Sequence, residues 1–293
     1  MSKEIHPTQV AGQFYPARTA ELAGLLADIR ARAEKALEKV APTQTVPRAL
    51  ILPHAGYVYS GFITMATLLS IPKTANYKCV IIIAPSHRAG FEGIALGDFA
   101  AMTTPLGDVA VDGGAISALA ESCGSDACID ERPFLLEHAL EVQLPFVIEM
   151  WQNASVVPII AGRIDAACAR RLAASFAALM TPDTLVIISS DFTHYGRSFN
   201  YIPFQDNVQE NLRKLDFGAA KAILSGDIAQ FDDYLAKTRA TICGESPIRL
   251  LMAIFEHLGV PPDGRLLAYS NSGEVTGDFS HAVSYCGMMF NGK

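Results

Sequence analysis

The sequence RALILPHAGYVYSG at positions 48–61 combines an apolar run with a histidine at its end. The run from Ala49 to Leu52 is typical of a strand buried on both faces of a parallel sheet. Pro53 ends this strand, and His54 follows directly. Because ligands bind beyond the carboxyl ends of the strands in an open α/β sheet, His54 is a candidate site residue. A turn histidine bonded to local backbone is the alternative for this stretch taken alone.

Two further apolar runs lead into polar residues in the same way. The run KCVIIIAP at 78–85 is followed by His87, and TLVIISS at 184–190 is followed by Asp191 and His194. Strands that alternate with helices predict a three-layer α/β/α sandwich with a mostly parallel central sheet, and the last strands allow antiparallel pairing. Parallel strands end at one edge of a sheet, so these polar side chains are expected to lie close together.

A cysteine provides a third candidate metal ligand beside the two histidines. Cys243 precedes a predicted helix at 247–258, with Ser246 as a possible N-cap. At a helix N-terminus the dipole favours the thiolate, which is the form of cysteine that binds metals. Imidazole is the commonest metal ligand in proteins, and a ligand set with an open position defines a catalytic metal site. A buried inert thiol is the alternative for Cys243, and the other cysteines are expected to be free packed thiols.

Composition excludes several classes of protein. The 293 residues carry a net charge of −7, which argues against a nucleic-acid partner or an anionic membrane surface. No apolar run approaches the roughly 18 residues of a membrane span. The first residues lack the apolar segment of a signal peptide, so we expect a cytoplasmic protein. The connector at 41–47 is too short to separate domains, and a single domain over 1–293 is expected.

Six motifs occur in chain order: AGQFYP at 11–16, PHAGYVYSG at 53–61, PSH at 85–87, EHALEVQLPF at 137–146, SSDFTHYG at 189–196 and TICGESPI at 241–248. Together they resemble the motifs of the Memo family, whose bacterial and archaeal members are labelled AmmeMemoRadiSam system protein B. The resemblance covers nearly the whole chain, and it implies a fold similar to that of class III extradiol dioxygenases, which use non-haem Fe(II).

The resemblance implies that His54, His87 and Cys243 hold a metal. The dioxygenases complete their ligand set with a carboxylate, whereas this pattern offers a thiolate, so ring cleavage does not follow from the fold. Fe(II) is the expected metal, and copper is second because two histidines and a cysteine also suit copper. Zn²⁺ at the same ligands would instead predict a hydrolase.

The resemblance also implies roles for four pocket residues. His194 is expected to act as general acid or base, and Asp191 to orient it or a ligand histidine through a hydrogen bond. Tyr59 is expected to line the pocket and position a small-molecule substrate. His138 matches the E-H-S/A-x-E element of the family, and a helix-capping or ion-paired histidine is the alternative there.

Two positions depart from the animal member of the family. That protein carries Trp where Phe14 stands and Arg where Asn200 stands, and both are linked there to phosphotyrosine-peptide binding. The departures argue against that partner function in this chain. The resemblance therefore predicts a metal-dependent redox enzyme, with a non-catalytic protein that binds a ligand or a peptide partner in the same pocket as the alternative.

Overall fold

The computed structural model describes residues 3–40, 43–260 and 263–291. These residues form a large sheet, a small sheet and the helices that cover them. The strands, in chain order, are β1 (Ile5–His6), β2 (Pro47–Leu52), β3 (Cys79–Pro85), β4 (Ile94–Leu96), β5 (Ala101–Thr104), β6 (Gly107–Ala110), β7 (Ala127–Ile129), β8 (Ser155–Ala161), β9 (Thr184–Ser189), β10 (His194–Gly196), β11 (Asp263–Asn271) and β12 (His281–Asn291).

The helices divide into long ones that cover the large sheet and short ones near the strand ends. None of the helices in the described ranges is both long and apolar enough to cross a membrane. The helices are α1 (Thr19–Leu37), α2 (Tyr57–Leu69), α3 (Gly113–Ser122), α4 (His138–Glu141), α5 (Leu144–Met150), α6 (Ala166–Leu179), α7 (Val208–Leu224), α8 (Ile228–Thr238), α9 (Glu245–His257) and α10 (Ser272–Thr276).

The large sheet has the strand order β10-β12-β2-β9-β3-β8-β4-β7, and β11 pairs with β12. Its central strands β2, β9, β3 and β8 are parallel neighbours. The last strand, β12, is antiparallel to β2, β10 and β11, as allowed for from the sequence. The small sheet, β1-β5-β6, packs on one side. The predicted α/β sandwich is therefore confirmed, with a mixed sheet whose centre is parallel.

The central strands are almost wholly apolar because both faces of the sheet are covered. Side chains alternate across a strand, so Leu50 and Leu52 of β2 join one hydrophobic core, and Ala49 and Ile51 join the other. The first core includes α1, α2, α4, α5 and the small sheet. The second includes α3, α6, α7, α8 and α9. The sheet is thus the middle layer, and its strand ends are left to form a site.

The start of α9 differs from its prediction. The helix begins at Glu245, with Gly244 at the N-cap position and no side-chain cap. Ser246 lies in the first turn, and its Oγ accepts a hydrogen bond from the backbone N–H of Ile164 at 3.0 Å. The predicted cap was wrong because Ser246 bonds a neighbouring segment, which sequence position cannot reveal. The earlier start brings the helix N-terminus directly after Cys243.

Candidate metal centre

The carboxyl ends of three parallel strands bring the predicted ligands together. Leu52 at the end of β2 pairs in register with Ser189 at the end of β9, and β3 lies on the other side of β9. The ligand atoms of His54, His87 and Cys243 all lie within 4.8 Å of one another. The three side chains are therefore close enough to hold one metal ion.

The buried ring of His54 is held in one tautomer. Ser189 Oγ donates its only proton to the carbonyl of Ala139 at 2.5 Å, so it accepts a hydrogen bond from His54 Nδ1 at 3.0 Å. Gln143 Nε2 also donates to this oxygen, at 3.0 Å. Burial is the main reason that the pKa of His54 lies well below its usual value. The ring is therefore neutral, and the free lone pair of Nε2 faces Cys243.

His87 is oriented by the buried carboxylate of Glu137. This carboxylate accepts hydrogen bonds from the backbone N–H of His87 at 2.6 Å and from its Nδ1 at 2.9 Å. It also accepts one from the N–H of Ala139 at 3.0 Å, which caps α4. Burial raises the pKa of Glu137, but its hydrogen bonds from His87 and Ala139 outweigh this and hold that pKa below its usual value. A carboxylate behind a histidine leaves Nε2 free for a metal.

Cys243 places its sulfur against His54 and Asp191. Its Sγ lies 3.1 Å from His54 Nε2 and accepts a hydrogen bond from the backbone N–H of Asp191 at 3.1 Å. Burial, followed by the charge of Asp191, raises the pKa of the thiol well above its usual value. The expectation that the helix N-terminus favours the thiolate is therefore wrong for the protein without a cation. A metal ion at the sulfur would reverse this balance, because its charge favours the thiolate.

Asp191 supports His54 through the backbone. Its Oδ1 accepts a hydrogen bond from the backbone N–H of His54 at 2.8 Å, and its Oδ2 lies 4.0 Å from His54 Nε2, beyond hydrogen-bond distance. The hydrogen bond expected from Asp191 is thus made to the backbone of His54, a predicted metal ligand, and not to the ring of His194. Burial raises the pKa of the Asp191 carboxyl to about 6.

His194 is fixed by the segment that precedes Cys243. Its backbone N–H donates to Thr241 Oγ1 at 2.8 Å. Its Nδ1 faces the carbonyl oxygens of Phe192 and Thr241, at 2.9 and 3.0 Å. Two acceptors require a proton on Nδ1. Within the part of the chain that the structure describes, His194 belongs to no group of potential metal ligands, so its predicted acid or base role stays a prediction.

His138 belongs to a cluster of imidazoles around His87. Its ring stacks on that of His87 at a centroid distance of 4.9 Å and lies 5.3 Å from the ring of His54. The ligand atoms of His87, Glu137 and His138 form a second group within 4.8 Å of one another. Glu137, and not His138, caps α4. Burial, followed by the charge of His87, lowers the pKa of His138 to about 4.

An open cavity of about 410 Å³, here called the aromatic cavity, lies beside these residues. Phe14, Tyr59, His138 and Tyr285 contribute rings to its wall, and Asp191 contributes a carboxylate. The predicted pocket residue Tyr59 is 40% exposed at the first turn of α2. Burial raises the pKa of Tyr285, and the charge of Asp191 raises it further. The cavity can accept a small planar molecule and surround it with rings and hydroxyl groups.

Three residues of the site were missed from the sequence. Glu137 directly precedes His138 in the EHALE motif, so a search for carboxylates beside candidate histidines would have found it. Ser189 and Tyr285 carried no such signal. Ser189 ends an apolar strand, and Tyr285 lies within β12, where alternation predicts only a strand face.

The pH titration of His138 gives a direct test of this geometry. We expect its imidazole to titrate at about 4, as seen in histidine ¹H–¹³C correlation spectra. Between pH 6.5 and that value the unfolded chain binds a proton that the folded chain rejects, so stability falls as the pH falls, by roughly 3 kcal/mol for this group. His138→Asn should flatten this part of the stability curve. A transition of His138 at its ordinary pH would contradict the buried stack.

Comparison with known proteins agrees with the sequence motifs. Residues 6–289 match the family model described as Memo-like protein. The chain is 32% identical over 275 residues to the protein memo-1 homolog of Caenorhabditis elegans, and the aligned region covers 90% of this chain and 78% of that protein. It is 33% identical over 289 residues to a MEMO1 family protein of Thermoplasma acidophilum, with 96% of each chain covered. The predicted resemblance is confirmed over nearly the whole chain, which therefore belongs to the Memo family.

Proposed function

We propose that the protein is a metal-dependent redox enzyme in which His54, His87 and Cys243 hold iron or copper. The observation that supports this proposal is the convergence of their ligand atoms within 4.8 Å of one another. Two imidazoles and a cysteine sulfur form a donor set that suits Fe(II) or copper, and Zn²⁺ also fits it. Three protein ligands leave coordination positions open for small molecules.

The residues around the donor set prepare it for a cation. Ser189 and Glu137 accept hydrogen bonds from the Nδ1 atoms of the two histidines, so each ring is oriented to present Nε2 to a cation. Asp191 fixes the backbone of His54 and donates its own N–H to the sulfur of Cys243. When bound, iron or copper would supply one-electron chemistry that these side chains do not provide. Orienting groups of this kind commonly affect metal affinity by roughly 10- to 100-fold.

The remaining predicted residues would bind and protonate a substrate. The aromatic cavity offers the rings of Phe14, Tyr59 and Tyr285 for packing against a small molecule. Asp191 lines the same cavity. Burial raises its pKa to about 6, so it can exchange a proton near neutral pH. His194 is the second proposed acid or base, because two carbonyl oxygens fix its Nδ1 and its ring is only partly buried.

Metal content tests this proposal. We expect iron or copper near one equivalent in protein purified anaerobically without a metal-affinity step. Cys243→Ser and His54→Ala should each reduce it at least about 10-fold, because each removes one of three ligands. Cys128→Ser is the matched control, since Cys128 is an exposed cysteine on β7. Circular dichroism should show that all variants fold.

The possible results separate the proposal from its alternatives. Full metal content in Cys243→Ser would contradict the ligand assignment. Zinc alone would favour a hydrolase, and no metal after reconstitution would favour a ligand-binding protein. If metal is present, oxygen consumption with a reductant distinguishes an enzyme from a metal-storing protein, and wild type should exceed Cys243→Ser.

A further inference from the structure

We propose that the candidate metal centre has a second, separate entrance through which a small uncharged reactant reaches the sulfur of Cys243. The inference rests on the proposed function, because a redox enzyme needs a place for a second reactant beside its substrate. It starts from a cavity of about 520 Å³, here called the sulfur-side cavity. Cys243 and Ser246 line it on one side, and Ser86 and Ala89 on another.

The sulfur-side cavity and the aromatic cavity lie on different sides of the centre. Among the described residues, none lines both. The first lies beyond the ends of β3 and β8 and beside the start of α9, whereas the second lies between α2, α10 and β12. Cys243 lines one and Asp191 lines the other, and these two residues are joined by the 3.1 Å hydrogen bond to the sulfur. The centre is therefore located between two separate spaces.

The charged groups at the sulfur-side cavity lie in ion pairs. Arg163 Nε donates to Glu92 Oε1 at 2.9 Å, and both residues line the cavity. Glu245 pairs with Arg249 at 3.2 Å within α9. The first pair cancels its own charge. Arg249 is shared with Asp232 at 2.6 Å, so one negative charge remains near Glu245 and disfavours an anion. The aromatic cavity differs, because the carboxylates of Asp191 and Asp278 both line it.

The wall of the sulfur-side cavity combines carbon surface with polar groups. Pro85, Ala161 and Phe91 contribute carbon surface. Ser86 uses its hydroxyl locally, since Oγ donates to the carbonyl of Ala89 at 2.7 Å and accepts from its N–H at 3.1 Å. A space of this size, with carbon surface and a Ser86 hydroxyl that bonds locally, suits a small uncharged molecule. The chemistry of the wall thus complements a neutral second reactant better than an anion.

A bulky side chain in place of Gly90 is expected to close the entrance through the sulfur-side cavity. It lines the sulfur-side cavity, and a Cβ at this position would meet no heavy atom within 4 Å. We expect Gly90→Trp to slow alkylation of Cys243 by iodoacetamide by about 10-fold or more, equivalent to about 1.4 kcal/mol in the barrier. The rate is read by mass spectrometry of peptides, with exposed Cys128 as internal reference. Gly24→Trp is the matched control, because a Cβ at Gly24 is equally unobstructed.

Two further variants control for misfolding of the first variant and for access through the aromatic cavity. Ala89→Phe should reproduce the effect of Gly90→Trp if that variant folds poorly. Thr276→Trp narrows the aromatic cavity and should leave the alkylation rate of Cys243 within about 2-fold of wild type, since the entrance it obstructs is the other one. If Thr276→Trp slows the reaction, or if both blocks of the sulfur-side cavity leave it unchanged, the proposal is wrong.

The same experiment separates this inference from the proposed function. Alkylation is measured on the protein as purified and again after chelation, because a bound metal would protect the sulfur. Gly90→Trp should retain the metal content of wild type, since Gly90 is not a ligand. If wild type holds no metal, the redox proposal fails, while the alkylation rates still decide whether Cys243 has its own entrance. At Cys243 the negatively charged iodoacetate should react more slowly than the neutral iodoacetamide, when each rate is divided by the rate of the same reagent at Cys128.

Discussion

Glu137→Gln is expected to weaken metal binding by roughly 10- to 100-fold, because it disturbs the group that orients a ligand. The carboxylate of Glu137 accepts hydrogen bonds from the backbone and ring of His87 and from the backbone of Ala139. Glutamine has one acceptor oxygen, and its NH₂ group would face an N–H donor. The ring of His87 would then lose the partner that keeps Nε2 free. Titration with the metal against a competing chelator measures the effect.

Glu141→Gln is the matched control for this prediction. Glu141 is a second buried carboxylate on α4, and it accepts hydrogen bonds from the backbone of Gln9 and Val10 and from Tyr15 Oη. Both substitutions leave buried donors without an anion, so each should lower the free energy of unfolding by roughly 2–4 kcal/mol. Only Glu137→Gln should change metal affinity. Equal affinities for the two variants would show that Glu137 stabilises the fold and does not orient the ligand.

Gly244→Ala is expected to lower the free energy of unfolding by about 1–3 kcal/mol through a steric clash. A Cβ on Gly244 would lie 2.3 Å from Ser190 Cβ and 3.1 Å from the carbonyl oxygen of Ser189. The φ of Gly244 is −87°, so space and not backbone conformation requires glycine here. The clash would separate the segment of Cys243 from the end of β9, and metal affinity should fall with stability.

Gly24→Ala is the same chemical change, but it is expected to have the opposite effect on the free energy of unfolding. A Cβ on Gly24 meets no heavy atom within 4 Å, and the residue lies inside α1. Alanine should therefore stabilise the protein by about 0.5–1 kcal/mol through helix propensity. Denaturant unfolding of both variants beside wild type measures the difference. An unchanged midpoint for Gly244→Ala would mean that the two segments can move apart at no cost.

The strand ends were predictable because they depend on local composition and a general rule of topology. Most of each of the strands β2, β3 and β9, at 49–52, 80–84 and 185–188, is apolar, as expected for strands covered on both faces. Parallel strands end at one edge, so His54, His87 and Asp191 were expected to meet there. The metal group that includes His54, His87 and Cys243 follows from this rule together with the family resemblance.

The protonation and hydrogen-bond partners of the site side chains were not predictable, because they depend on contacts between distant segments. Glu137 reaches His87 from 50 positions away, and Ser189 reaches His54 from 135 positions away. The thiol of Cys243 is the clearest case. Its position before a helix predicted a thiolate, whereas burial against Asp191 raises its pKa well above the usual value. Desolvation is a property of the packed surroundings, and no sequence motif contains it.

The amino-acid sequence by itself determined the α/β architecture, the family and the residues that follow the central strands, because hydrophobic patterning and motif order are properties of the chain. Only the tertiary structure decided which ring nitrogen of His54 is free, which carboxylate supports His87, and that separate cavities adjoin Cys243 and Asp191. These features arise where segments far apart in the chain exclude water and satisfy one another's hydrogen bonds, so they exist only once the layers have packed.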